Sequence, residues 1–107
     1  MDIKELIEQI VANSKDYGMF YFTVEDTDLS ICETNKCLSS SDTPRYYIGT
    51  STEGKLVLTE TKFIHKTDDA IAFLFDADIH LWQLMSWNIQ YDNCGGLITT
   101  WNITLRR

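Results

Sequence analysis

Asp76-Ala77-Asp78-Ile79-His80 is the string in this chain best equipped for chemistry. Read as a strand, alternation puts Asp76, Asp78 and His80 on one face, an oxygen-and-nitrogen set suited to a divalent metal. Read as a helix, Asp76 and His80 are neighbours at i, i+4 while Asp78 points away. The flanking sequence has a helical pattern, so a solvated Asp–His pair is expected and no metal ligand is assigned.

Four residues separate Cys32 from Cys37, and Cys94 is remote. With His65 or His80 they would complete a Cys₃His zinc set, but zinc knuckles are spaced more tightly and Cys94 has no paired ligand. An odd count argues against a secreted disulfide scaffold. No local motif supplies a base to activate a thiol. Free thiols are the expectation, with a Cys32–Cys37 disulfide under oxidation left open.

The chain contains no Gly-x-Ser-x-Gly elbow, no phosphate-binding Gly-rich loop and no dinucleotide fingerprint. With only two histidines, the commonest general base is scarce. Glu25 with Asp28 is the remaining acid–base candidate, and acids in a turn are ordinarily just solvated. The chain is therefore expected to be no enzyme and to need no cofactor.

What remains is surface character. Sixteen acids against nine bases give a net charge of −7, and the bases are scattered apart from Arg106–Arg107. Such a chain repels phosphate backbones, so direct nucleic-acid binding is disfavoured and a basic protein partner is favoured. The acids group by segment: Glu25, Asp26 and Asp28, then Asp68 and Asp69, then Asp76 and Asp78. Glu25, Asp26, Asp28, Asp68, Asp69 and Asp76 are the candidate acidic contacts, against the plainer reading of a solubilising coat. Thirteen aromatic residues exceed what a small core readily hides. Tyr46, Tyr47, Trp82 and Tyr91 are expected to be partly exposed and are the candidate anchors, against the plainer reading that they close the edges of the sheet.

The elements that position these residues follow from periodicity. Ile3, Leu6, Ile7, Ile10 and Val11 recur at helical spacing, with Asp2 as N-cap and Gly18 closing a helix over 2–15. Residues 19–24 (MFYFTV) read as a strand buried on both faces, followed by an acidic turn at 25–28. A further short strand over 29–32 is open, and 33–44 form a polar candidate binding loop. Residues 45–49 and 55–64 pair as a hairpin.

Thr67, with Asp68 and Asp69 behind it, caps a second helix. A polar stripe of Asp69, Ala72, Asp76, His80 and Gln83 favours its running to about Met85. The alternative is a stop near Ala77 and a strand over 79–91. Residues 87–91 and 97–106 then pair as a C-terminal hairpin, with Trp87 opposite Trp101 and Tyr91 opposite Leu97.

The result is one α+β domain over 1–107: an antiparallel sheet of about five strands packed with two helices, in the order α-β-ββ-α-ββ. Charged residues near the N-terminus rule out a signal peptide, no apolar run is long enough to span a membrane, and the cysteine usage points to the cytoplasm.

The functional expectation is a non-enzymatic protein-binding module. It would be a small acidic inhibitor that occludes a basic surface of a larger, nucleic-acid-handling protein, as a phage-type anti-defence or immunity protein does. A self-associating assembly protein, dimerising through the C-terminal hairpin or a strand edge, is the second reading. A metal-binding enzyme or sensor built on Asp76, Asp78 and His80 is the third.

Overall fold

The computed structural model describes residues 1–26, 47–50, 54, 56–91 and 98–107, and all side chains within them except those of 47–50, 56, 98 and 99. Helix α1 spans Ile3–Asn13 and buries Ile3, Leu6, Ile7 and Ile10, the stripe its spacing predicts. Burying such side chains contributes about 1.5–3 kcal/mol each relative to exposure. Asp2 is the N-cap, its carboxylate accepting the Glu5 amide at 2.8 Å. The helix ends earlier than expected: Ser14 turns extended as C-cap, so Gly18 is not the stop. Gly18 lies inside the next strand, where a Cβ would come within 2.9 Å of the Phe20 ring.

That strand, β1 (Tyr17–Asp26), is longer than 19–24 and buries one face rather than two. Phe20, Phe22, Val24 and Asp26 point into the core, and the alternate residues from Tyr17 to Glu25 do not. The acidic turn expected at 25–28 is thereby corrected at its start, since Glu25 and Asp26 are strand residues. Strand β2 (Tyr47–Thr50) pairs antiparallel with β3 (Leu56–Lys66), the hairpin predicted for this region.

Helix α2 (Thr67–Ile79) follows β3 directly. Its N-cap is Lys66, which makes no side-chain capping bond, and Thr67 is the first helical residue instead of the cap. The helix stops at Ile79, not Met85. Its end is a Schellman turn in which the Trp82 amide donates to Ala77 O at 3.0 Å and the Leu81 amide to Asp78 O at 3.1 Å. Leu81 occupies the left-handed position of that turn, at φ 60°. His80 is the C-cap and Gln83 already belongs to the next strand, so the predicted five-residue polar stripe is cut after Asp76.

Strands β4 (Gln83–Tyr91) and β5 (Ile98–Arg106) form the C-terminal hairpin. Its register differs by two residues from the expected one: Trp87 faces Ile103, Asn88 faces Asn102 and Ile89 faces Trp101, while Tyr91 faces Ile98. Over 86–90 the two-residue shift leaves each side chain on its original face, so the apolar pattern could not distinguish the two registers there, and an irregularity between Gln90 and Tyr91 reduces the shift to one residue at Tyr91. The repeated Trp-Asn-Ile triplets thus pair antiparallel with each other, and Asn102 Nδ2 donates to Asn88 Oδ1 at 3.1 Å.

The fold is α+β with two helices, as expected, but the sheet is mixed rather than antiparallel. Strand order is β2-β3-β1-β5-β4, and β1 pairs antiparallel with β3 but parallel with β5. Both helices cover one face of the sheet. The core between them gathers the α1 stripe with Phe20, Phe22, Ala70, Leu74, Ala77, Trp101, Ile103 and Leu105. Trp101 is anchored at its polar end, its indole N–H donating to Ser14 Oγ at 3.0 Å. No helix among the described residues is long and apolar enough to cross a membrane.

Candidate functional site

Placing both helices on one face of the sheet gives the protein two dissimilar surfaces. The helical surface is acidic. Together α1 and α2 contain Glu5, Glu8, Asp68, Asp69, Asp76 and Asp78 against Lys4 alone. On α2, Asp68, Asp69, Ala72, Phe75, Asp76 and Ile79 share the solvent side, because residues three, four and seven apart lie along one helical face. Ile79 is 74% exposed and Phe75 51%, and Leu81, just beyond the helix, is 86% exposed. Carboxylates and large apolar side chains therefore share the solvent face of α2 and the turn after it.

Of the predicted acidic contacts, Asp68, Asp69 and Asp76 belong to this surface. Asp69 is the most compromised of the three, since it shares a shallow groove beside β3 with Lys62 and Lys66. The Lys62 ammonium lies 5.2 Å from the centroid of the Phe73 ring in the same groove.

Glu25 and Asp26 do not belong to it. Arg106 donates to Glu25 Oε2 from Nη2 at 2.9 Å and from Nε at 3.3 Å, and Arg107 Nε donates to Asp26 Oδ2 at 2.9 Å. These mostly buried pairs close the ends of β1 and β5, so the two acids are already committed to arginine partners within the fold. Pairing also removes Glu25 as a free acid–base group. Asp28, its proposed companion, lies outside the described residues.

Trp82 is half-buried, in keeping with the partial exposure expected of it, edge-on to Phe73 at 5.9 Å with the Arg107 guanidinium 5.6 Å from its ring centroid. Tyr91 is exposed at the end of β4. Tyr47 begins β2, while its side chain, and all of Tyr46, lie outside the described set.

The other surface is the side of the sheet that neither helix covers, exposed among the described residues around Tyr17, Met19, Phe63 and His65, and its aromatic residues are not among the sequence-based candidates. Tyr17, Met19 and Tyr21 from β1 stand beside Phe63 and His65 from β3. The Tyr17–His65 ring centroids are 5.1 Å apart, Tyr21–Phe63 5.0 Å and Phe63–His65 6.3 Å. Beyond them the sheet turns polar: register places Asn102 beside Tyr21 and Thr104 beside Thr23, with Asn88 and Ser86 outside these on β4. Among the described residues, the only ionic groups that register adds to the β1, β4 and β5 part of this face are Glu25 and Arg106, which neutralise each other. The available signal was the period of two in 17–25 and 61–65, obscured because both faces of β1 carry aromatics.

His80 and Asp76 form the solvated pair expected of the helical reading. His80 Nδ1 lies 2.8 Å from the Asp76 carbonyl oxygen and 3.5 Å from its carboxylate, and both side chains are well exposed. Asp78 is half-buried and turned aside. Among the described residues, no three His, Cys, Asp or Glu side chains converge as a metal site. Cys32, Cys37, Cys94 and the 33–44 loop lie outside the described residues.

Comparison with known proteins gives no match among family models, curated sequences or solved structures.

Proposed function

We propose that this protein is a non-enzymatic binding module that occludes a basic surface of a protein partner with the solvent face of α2. The observation that carries the reading is the interleaving of Asp68, Asp69 and Asp76 with exposed Phe75 and Ile79. Carboxylates steer a chain of net charge −7 toward a basic surface and set its orientation. Desolvated apolar anchors add to the affinity, and the charges make it salt-dependent. Leu81 extends the apolar series past the end of the helix. Occlusion of this kind suits an inhibitor of a nucleic-acid-handling protein, of the anti-defence or immunity type.

The test is capture from host lysate on the immobilised chain, compared with the charge-reversed variant D68K/D69K/D76K, at moderate and high salt. Circular dichroism confirms that the variant is folded. The expected result is one basic protein held by the wild type, released by salt and absent from the variant. Equal capture by both chains would exclude an acidic footprint.

A further inference from the structure

We propose that the bare face of the sheet is a homodimer interface, in which two copies pack sheet against sheet. This inference is independent of the partner-binding reading, which concerns the opposite side of the molecule.

Three observations carry it. The first is charge. Two copies at −7 repel each other, and the helical surface concentrates that repulsion. Over β1, β4 and β5 the described residues of this face present only the compensated Glu25–Arg106 pair, and Lys62 and Lys66 lie at its β3 side, so a second copy can approach here without bringing the acidic surfaces together.

The second is arrangement. β1 is the middle strand of five, and it carries Tyr17, Met19 and Tyr21 with Phe63 and His65 beside them on β3. A two-fold axis lying in the interface over β1 sets this cluster against its own copy, as a self-complementary contact requires. Phe63 is 50% exposed and Tyr17 60%, a large uncovered aromatic area for a single chain. Asn88, Asn102 and Thr104 then form a polar flank. An aromatic, uncharged centre with a polar border is the composition of a protein interface. A single-stranded nucleic acid also stacks on aromatic platforms but needs a run of cations beside them, and Lys62 and Lys66, which line a groove with Phe63 and His65, share it with Asp69.

The third is area. Four strands spaced about 4.8 Å apart and roughly seven residues long give about 20 Å by 25 Å, or about 500 Å² per copy before side-chain relief is counted. Doubled, this meets the roughly 1,000 Å² that a specific interface needs. The resulting sandwich turns the two acidic helical layers outward on opposite sides.

Sedimentation equilibrium of the purified full chain at low and high salt tests the proposal, alongside Phe63→Glu and Tyr17→Glu, each checked by circular dichroism. The wild type is expected at twice the chain mass at micromolar concentrations. Its association should strengthen with salt, because screening relieves repulsion between like-charged copies. Each folded variant should weaken association by about tenfold or more. Tyr17 heads its strand, so Tyr17→Glu serves if Phe63→Glu fails to fold. D68K/D69K/D76K should still dimerise, since α2 is on the other side. A wild type that stays monomeric into the millimolar range overturns the proposal, as does a dimer indifferent to both glutamates. Partner capture weakens with salt and depends on α2, whereas dimerisation strengthens with salt and depends on the sheet, so failure of one is distinct from failure of the other.

Discussion

Arg106 and Glu25 sit opposite each other across the parallel β1–β5 pair, joined by two hydrogen bonds from the guanidinium to a single carboxylate oxygen. One residue further, the Arg107 amide donates to the Glu25 carbonyl at 3.0 Å and its guanidinium takes Asp26. The two adjacent arginines of an acidic chain are thus consumed in fastening its central parallel pairing.

Replacing Glu25 with Gln should therefore lower stability while leaving partner capture unchanged. The side chains are only 15% and 17% exposed, so solvent screens the pair weakly. Loss of the charge-assisted bonds should cost about 1–3 kcal/mol. Urea unfolding, with the midpoint shifted at constant slope, measures it. A change below the error of the midpoint would mean that the pair contributes nothing to the fold.

Leu81→Gly should raise stability. A leucine in the left-handed region carries a steric penalty of about 1–2 kcal/mol that glycine lacks, offset in part by glycine's greater freedom when unfolded. A net gain of about 0.5–1 kcal/mol is expected in the same urea experiment. The substitution also removes an 86% exposed apolar side chain. If that leucine is an anchor, the more stable variant should capture the partner less well, a combination that a purely structural role for Leu81 would not produce.

Ser14→Ala should destabilise through Trp101 rather than through α1. The serine hydroxyl is the acceptor for the indole N–H of a tryptophan that is 1% exposed. Leaving that donor unpaired should cost about 1–3 kcal/mol. Tryptophan fluorescence should shift while helix content by circular dichroism stays constant. An unaltered emission spectrum and midpoint would place no weight on this bond.

The parts that could be read along the chain are those governed by local rules. The α1 stripe with its Asp2 cap, the alternation that builds β3 and β5, and the pairing of β2 with β3 all depend on residues close in sequence. The solvated Asp76–His80 pair was legible for the same reason.

Where two solutions satisfy the same pattern, local rules stop. Over 86–90 the hairpin register could slide by two residues without moving a side chain to the other face, and a bulge between Leu84 and Ser86 belongs to the register adopted. The length of α2 was ambiguous because apolar residues lie all around it: Leu74 and Ala77 are buried while Phe75 and Ile79 are exposed. A turn built on Leu81, where glycine is usual, gives no warning in the sequence that the helix ends.

What the amino-acid order settles here is class: an acidic α+β chain with two helices, a large apolar fraction and no recognised catalytic motif. Which acids are free to meet a partner is decided by long-range pairing. Glu25 and Asp68 look alike in sequence, but the parallel β1–β5 contact brings Arg106 to one and leaves the other on an open helix face. The same packing puts both helices on one side and leaves Tyr17, Met19 and Phe63 exposed on the other. A charge or an aromatic ring acquires its role from neighbours distant in the chain, and those neighbours exist only once the sheet is assembled.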